Sequence, residues 1–367
     1  YEYEDSRKGF HPDWNSFIFN YSRGEVRSFL ISSAHFWCNK FHIDGLRVDA
    51  VNSIIRLDFS RKPGEWEPNE YGGNENIEAI GFLRELNSVL YQDFPDIQTI
   101  AEEASDWPGI TLSSDKMGFG FGMKWMMGWM HDMFRYFKKS PAIRTDVQDD
   151  FTFSLMYFYD EKFMLPLSHD EVVHGKSPML YKMPGSEWEQ FANLRLLYSW
   201  MFTHPGAKLL FMGNEFGQTS EWDYKSELDW PLLQYAAHNK LQECVRTLNY
   251  LLRHEPAFYE LQFDRKGFEW VSLNYRTEGI MIFKRKGKLR ANDLLVVLNV
   301  SNFPQENMEI QVSGKLHYTE IFNSDAEQFW GSGKYMNQNI FCEVVDKKKK
   351  LNVLKLNIPP LAAIILK

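Results

Sequence analysis

Phe41-His42-Ile43-Asp44-Gly45-Leu46-Arg47-Val48-Asp49 reads as a strand that closes in charge. Residues two apart on a strand share a face, so Arg47 and Asp49 point the same way and Val48 points oppositely, into the layer between sheet and helices. An arginine beside a carboxylate keeps it ionised and fixes its orientation. A carboxylate nucleophile has that requirement. Taken alone, the pair is equally readable as a structural ion pair at a strand end.

Working outward, a helix over Val26, Phe29, Leu30, Ser33 and Trp37 precedes this strand, and a helix around Ile77, Ile80, Leu83 and Leu90 follows it. The alternation continues. Ile97–Glu102 reads as a second strand. Phe121–Trp129 reads as a third, although its Met and Trp content suits a helix equally. Phe163–Ser168 and Ala207–Gly213 read as the fourth and fifth. Helical spacing recurs over Trp188, Phe191, Leu194, Tyr198 and Met201, and again over Leu241, Val245, Leu248 and Leu252, the latter stopping near Pro256. Strands alternating with helices imply an α/β fold with a parallel sheet, open or closed into a barrel. About five of the eight strand–helix units of a (β/α)8 TIM barrel fit between Phe41 and Pro256. Residues 1–25 read as polar, aromatic loop with no strand. The expectation is an incomplete barrel, the C-terminal part of a longer chain, and inactivity of this stretch in isolation.

Beyond Leu261 the pattern becomes short strands separated by Gly, Asn and Pro turns: Trp270–Tyr275, Ile280–Lys284, Leu294–Val300, Met308–Val312, His317–Phe322 and Leu354–Leu366. These predict an all-β sandwich capping the first domain. The expected division is a partial catalytic barrel over 1–258 and a C-terminal β-sandwich domain over 259–367. The lysine run Lys347–Lys350 reads as a solvated hairpin tip.

The 367 residues are 44% hydrophobic, 25% charged and 16% aromatic, which excludes disorder and collagen-like repeats. No run is long and apolar enough for a membrane helix, and Tyr1-Glu2-Tyr3-Glu4-Asp5 is no signal peptide. A net charge of −8, with no basic cluster besides the lysine run, argues against nucleic acid or an anionic membrane as partner. Cys38, Cys244 and Cys342 are odd in number and far apart, so neither a disulfide framework nor a zinc site is expected, and a reducing cytoplasm fits. Trp66, Trp107, Trp222 and Trp230 lie in polar, turn-rich surroundings, where an indole stacks on a flat apolar ligand face such as a sugar ring.

Two further strands also end in acid. The second closes in Glu102-Glu103; adjacent residues face opposite sides, so only one enters the site, and the less solvated one has the raised pKa that a general acid needs. The fourth closes in Ser168-His169-Asp170-Glu171. His169, Asp170 and His174 match no common metal spacing, and no metal or cofactor is called for. The fifth closes in Gly213-Asn214-Glu215-Phe216. In barrel enzymes the C-terminal strand ends hold the active site. Carboxylates converging there, with Trp and Tyr in the loops, point to glycosidic bond chemistry. Gly118-Phe119-Gly120-Phe121-Gly122 lacks the tail of a phosphate loop, and no Gly-x-Ser-x-Gly elbow occurs.

These motifs resemble the alpha-amylase superfamily, and within it the bacterial glycogen branching enzymes. Asp44–Val51 is similar to the segment around the family's nucleophile, which implies that role for Asp49 with Arg47 as its partner. Ala101-Glu102-Glu103-Ala104-Ser105-Asp106-Trp107-Pro108-Gly109 resembles the acid/base segment, implying Glu102 as general acid/base. Leu165–Lys176 resembles the segment of the third acid, implying that Asp170 holds sugar hydroxyls and stabilises the transition state, with His169 beside it. Ser168 in place of the usual amylase Asn, Phe211–Gln218, Glu221-Trp222, Leu228-Asp229-Trp230, Gly64-Glu65-Trp66 and Asn69–Gly73 resemble branching enzymes rather than amylases. Ala104-Ser105 departs from the family's usual Ser-Thr. The family's third-strand Asp and His segment and its N-terminal β-sandwich are missing.

The resemblance implies a retaining double displacement on an α-1,4-glucan, with transfer of the chain to a 6-hydroxyl and no cofactor. The rivals are an amylase-like or trehalose-releasing hydrolase with the same acids, and a non-catalytic glucan-binding protein.

Overall fold

The helix Gly24–Phe41 ends where His42 takes a left-handed conformation (φ 52°), and this turn delivers the chain into the first parallel strand, Gly45–Val48. The strand is thus shorter than its sequence suggests: Phe41 closes the helix, and Asp49 lies one residue past the strand. Gly45 has a steric reason to be glycine, because a Cβ there would meet the Gln98 carbonyl oxygen at 2.6 Å. The structure, a computed structural model, describes residues 1–346, 348 and 351–367. Apart from Lys348, the lysine run expected at a hairpin tip lies outside the described residues.

Five strands run in the order of the chain: Gly45–Val48, Gln98–Ala101, Met123–Trp125, Phe163–Leu167 and Ala207–Leu210. The first three and the start of the fourth pair in parallel, with Gly45 opposite Gln98, Ala101 opposite Lys124 and Lys124 opposite Phe163. The fifth follows the fourth, Phe211 N–H donating to the Leu167 carbonyl at 3.0 Å. The ambiguous run over 121–129 is both things expected of it: a strand over Met123–Trp125, then a helix over Met127–Phe137. Residues 1–25 depart from the expectation of no strand, because Phe10–His11 and Ser16–Phe17 form a two-residue antiparallel ladder.

By internal packing the chain forms two compact units, residues 1–127 with 160–164, and residues 128–159 with 165–367. In the first, the helix Ile77–Asp93, capped by the Asn76 side chain, buries Ala79, Ile80, Phe82, Leu83, Leu86 and Leu90. The helix Gly24–Phe41 packs Leu30, Ile31, Ala34 and Cys38 into the same core. Phe29 and Trp37, read as apolar helix positions, instead stand 56% and 45% exposed.

In the second unit, the helix Glu187–Thr203 opens on a capping box between Ser186 and Glu189 and is buried from Phe191 to its end. The C-terminal residues build two larger antiparallel sheets, beside a two-stranded pairing of His317–Tyr318 with Ile340–Phe341. One orders Glu320–Asn323, Ala362–Leu366, Leu294–Asn299, Ile280–Arg285 and Phe268–Ser272; the other orders Gln305–Ser313, Leu351–Ile358 and Glu343–Asp346. Ile282, Val297, Leu354, Leu356 and Ile364 fill the space between them. The run Leu354–Leu366, expected as one strand, is two, because Pro359-Pro360 offers no N–H to a ladder and Leu361 turns at φ 47°. His317–Phe322 likewise splits, and the short strands Ile340–Phe341 and Glu343–Asp346 were not expected.

Three fully buried arginines tie this unit together. Arg285 donates to the carbonyls of Thr203 (2.7 Å) and His204 (3.0 Å), Arg195 to Ser324 (2.8 Å), and Arg144 to Asn193 (2.6 Å) and Phe137 (2.9 Å). Burial pulls each guanidinium down to about 10, so all three stay charged near neutrality.

Candidate active site

In the first unit, the C-terminal ends of the first two parallel strands bring Arg47, Asp49 and Glu102 together. One nitrogen of Arg47, Nη2, reaches Asp49 Oδ1 at 2.7 Å and Glu102 Oε2 at 2.5 Å. The two oxygens are therefore no farther apart than those bonds laid end to end. That fits the ~5–5.5 Å carboxyl separation of retaining glycosidases rather than the roughly 6.5–9.5 Å of inverting ones. The Asp49 side chain is 76% exposed, and Glu102 is mostly buried.

The backbone is bent to serve this cluster. Ala50 sits in the left-handed region at φ 45°, ψ 46°, which costs a non-glycine residue about 1 kcal/mol or more. In that conformation its N–H donates to Glu102 Oε2 at 2.9 Å, and Val51 N–H donates to the Glu102 carbonyl at 2.8 Å. Burial pushes Glu102 above the ordinary carboxylate range; the Ala50 N–H and Arg47 pull against this, while the hydrogen bond its acid form donates to the Asp49 carboxylate, and the charge of that carboxylate, add to it. The result is one exposed carboxylate and one largely covered acid of raised pKa, on a shared cation.

Glu103 faces the other way. It is 1% exposed, with Lys124 Nζ at 2.5 Å from Oε2 and the Ser105 N–H donating to Oε1 at 2.8 Å; Lys124 also donates to the Ser105 carbonyl at 3.0 Å. Neither Lys124 nor Trp125 was singled out from the sequence. A lone lysine inside the apolar run Phe121–Trp129 was the available signal, since a buried ammonium needs a partner. Breaking one side of a buried ion pair typically costs ~3–5 kcal/mol. Lys124→Met is therefore expected to destabilise the fold by about that much, and Lys124→Met combined with Glu103→Leu by clearly less. Chemical denaturation of both proteins checks this; equal losses would show that the pair does not couple.

In the second unit, His169 and Asp170 open a short turn after Leu167, with His169 Nε2 at 3.1 Å from Asp170 Oδ1. Both side chains are partly exposed. The His169 ring meets Phe211 and Trp222, and Trp222 N–H donates to the Val172 carbonyl at 2.9 Å. Glu221 accepts from the N–H groups of Gly175 (2.9 Å) and Ser177 (2.7 Å), which hold its carboxyl below the usual range and pin the loop that follows Asp170. Glu215, at the fifth strand end, is spent on its own turn, accepting from Gly213 N–H at 2.7 Å.

Of the four tryptophans, Trp107 packs beneath Arg56 and against Phe119, Trp222 sits beside His169, Trp66 is half-buried, and Trp230 lies on Phe216. Among the described residues, no three His, Cys, Asp or Glu side chains are grouped as a metal would require. No described helix is long and apolar enough to cross a membrane.

Comparison with known proteins extends this picture. The family model for the alpha amylase catalytic domain matches residues 11–272, and that for the alpha amylase C-terminal all-beta domain matches residues 270–367. A 1,4-alpha-glucan branching enzyme GlgB of Aquifex aeolicus is 50% identical over 371 residues, covering 100% of this chain and 58% of that protein. One of Methylococcus capsulatus is 49% identical over 366 residues, covering 100% and 49%. The chain thus spans about half the length of the curated relatives it matches. Among solved structures, a debranching enzyme of Nostoc punctiforme superposes with a TM-score of 0.62 at 15% identity, covering 96% of this chain and 65% of that one. At that identity the likeness speaks for the fold alone. With acids at the ends of parallel strands and a catalytic-domain match over most of its length, the chain belongs to the alpha-amylase family.

Proposed function

We propose that the protein is a glucan branching transferase: it cleaves an α-1,4-glucan and passes the chain to a 6-hydroxyl, forming an α-1,6 branch by a retaining double displacement. The observation that carries this reading is the Asp49–Arg47–Glu102 cluster, which joins an exposed carboxylate to a largely covered acid of raised pKa at retaining separation. Asp49 attacks the anomeric carbon while Glu102 protonates the leaving oxygen. Glu102, now a base, takes the proton of the incoming hydroxyl as it displaces Asp49. Asp170, with the His169 ring beside it, binds sugar hydroxyls and stabilises the transition state. The names of the relatives at about 50% identity support a hydroxyl acceptor over water.

We assign the catalytic part to 1–258 and a capping role to 259–367, a division supported by the ranges that the two family models match. The substrate is an α-glucan, and neither nucleic acid nor membrane is a partner. Free thiols at Cys38, Cys244 and Cys342 support a cytoplasmic location.

Amylose treated with the full-length gene product tests the reading. Branching lowers the iodine stain with few new reducing ends and adds α-1,6 linkages visible by NMR. A steep rise in reducing ends without α-1,6 linkages would make the protein a hydrolase instead.

A further inference from the structure

We propose that Trp125 is a positioning residue for both carboxylates: its ring face seats the Arg47 guanidinium, and through Arg47 it holds Asp49 and Glu102 at retaining separation. The inference rests on the function proposed above. The guanidinium carbon lies 4.1 Å from the centroid of the Trp125 ring, well inside the ~6 Å reach of a cation–π contact. The ring is only 4% exposed, so water does not compete for its face.

The need for such a seat follows from how Arg47 is bonded. Both acids take the same nitrogen, Nη2, while Nε is buried and makes no hydrogen bond among the described residues. The side chain is thus tethered at its tip, and hydrogen bonds at its base do not fix the plane of the guanidinium. A ring face fixes that plane. It attracts the cation without accepting an N–H and without adding charge, so the cation stays available to the two acids. A carboxylate in the same place would compete with Asp49 and Glu102 for it.

The sheet register explains why this ring is in reach. Ala101 lies opposite Lys124, so Glu102 and Glu103 continue alongside Trp125 and the chain after it. Adjacent strand residues face opposite sides. Lys124 accordingly meets Glu103 on one side, and Trp125 meets the Arg47 partner of Glu102 on the other. Two neighbouring residues of one strand serve two neighbouring glutamates of the next, one for stability and one for alignment. Trp125 is itself held by the strand pair, opposite Met164.

Truncating a buried indole risks the fold, so the decisive experiment keeps its shape. Trp125 is replaced in the full-length gene product by tryptophan bearing one to four ring fluorines, which drain the negative face stepwise. With amylose as substrate, kcat is expected to fall with each fluorine, reaching about tenfold for the tetrafluoro ring, while KM stays within about twofold. The alkaline limb of kcat/KM is expected to move to higher pH. The charged groups facing Glu102 are Arg47 and Asp49, with the Ala50 N–H; the Lys124–Glu103 pair lies on the opposite side. Loosening Arg47 removes the cation that favours the ionised acid, so the protonated form persists further.

Trp125→Phe, which keeps a ring face, should restore most of the activity that Trp125→Leu loses. An unchanged kcat and an unmoved limb across the fluorinated series overturn the proposal, even if Trp125→Leu is inactive, because the ring would then matter for packing alone. An unmodified protein that does not cleave α-glucan overturns the functional reading first, and this proposal with it.

Discussion

Asp49→Asn is expected to cut glucan cleavage by at least about 10⁴-fold while leaving the cooperative melting transition in place. The loss follows from the chemistry: an amide does not displace a glycosidic oxygen, and the covalent route closes. The intact fold follows from the surroundings. The Asp49 side chain is 76% exposed and meets Arg47 and Glu102, so the substitution buries no new group and opens no cavity. A shortened side chain gives a sharper readout. In Asp49→Ala, azide can enter the vacated space and attack the α-linked sugar directly, with a single inversion, giving a β-glycosyl azide. The stereochemistry of that product assigns the face from which Asp49 works. An Asp49→Asn protein that retains a tenth of the unmodified rate would remove the residue from this role.

The three candidate acids are legible in the sequence because each ends an apolar run: Asp49 after Leu46 and Val48, Glu102 after Ile97, Ile100 and Ala101, and Asp170 after Leu165 and Leu167. A charge at the end of a buried strand has few places to go except the rim of the sheet. Alternation along a strand also foretold that Glu102 and Glu103 would part company, and they do: Glu102 joins Arg47, and Glu103 joins Lys124. Burial and Asp49, not the neighbouring Glu103, push the Glu102 pKa up, because Glu103 is paired with Lys124 on the other side.

What stayed hidden depends on tertiary placement. Phe121–Trp129 has no periodicity of its own because a three-residue strand passes straight into a helix, so nothing marked Lys124 and Trp125 as facing opposite sides. Phe29 and Trp37 counted as apolar helix positions, yet the stripe that packs inward is Val26, Leu30, Ile31, Ala34 and Cys38. Hydrophobicity ranks residues; it does not say which side of a helix the neighbouring layer occupies. The division of Leu354–Leu366 does have a signal in the sequence, the Pro359-Pro360 pair between its two strands.

Glu102→Gln is expected to lower turnover of amylose by roughly 10²–10⁴-fold and to abolish the alkaline limb of the kcat/KM profile. In the mechanism proposed above the first step needs Glu102 protonated, so the rate is expected to fall as pH rises through its pKa. Burial has moved that pKa upward, which keeps the acid form populated closer to neutrality. A glutamine has no proton to lose, and the limb goes with it. The deficit should depend on the leaving group. An α-glycosyl fluoride departs without protonation, so formation of the Asp49 intermediate should run near the unmodified rate. The second step then stalls, because a sugar hydroxyl still needs a base. Azide needs none, and should restore turnover by displacing Asp49 to give an α-glycosyl azide, the anomer opposite to that from Asp49→Ala. Glu103→Gln supplies the contrast. Its side chain faces Lys124, away from Arg47, so its alkaline limb should survive, together with indifference to azide, whatever stability it loses. If the limb disappears in Glu103→Gln and persists in Glu102→Gln, the two glutamates have exchanged roles and the assignment of Glu102 as the acid is wrong.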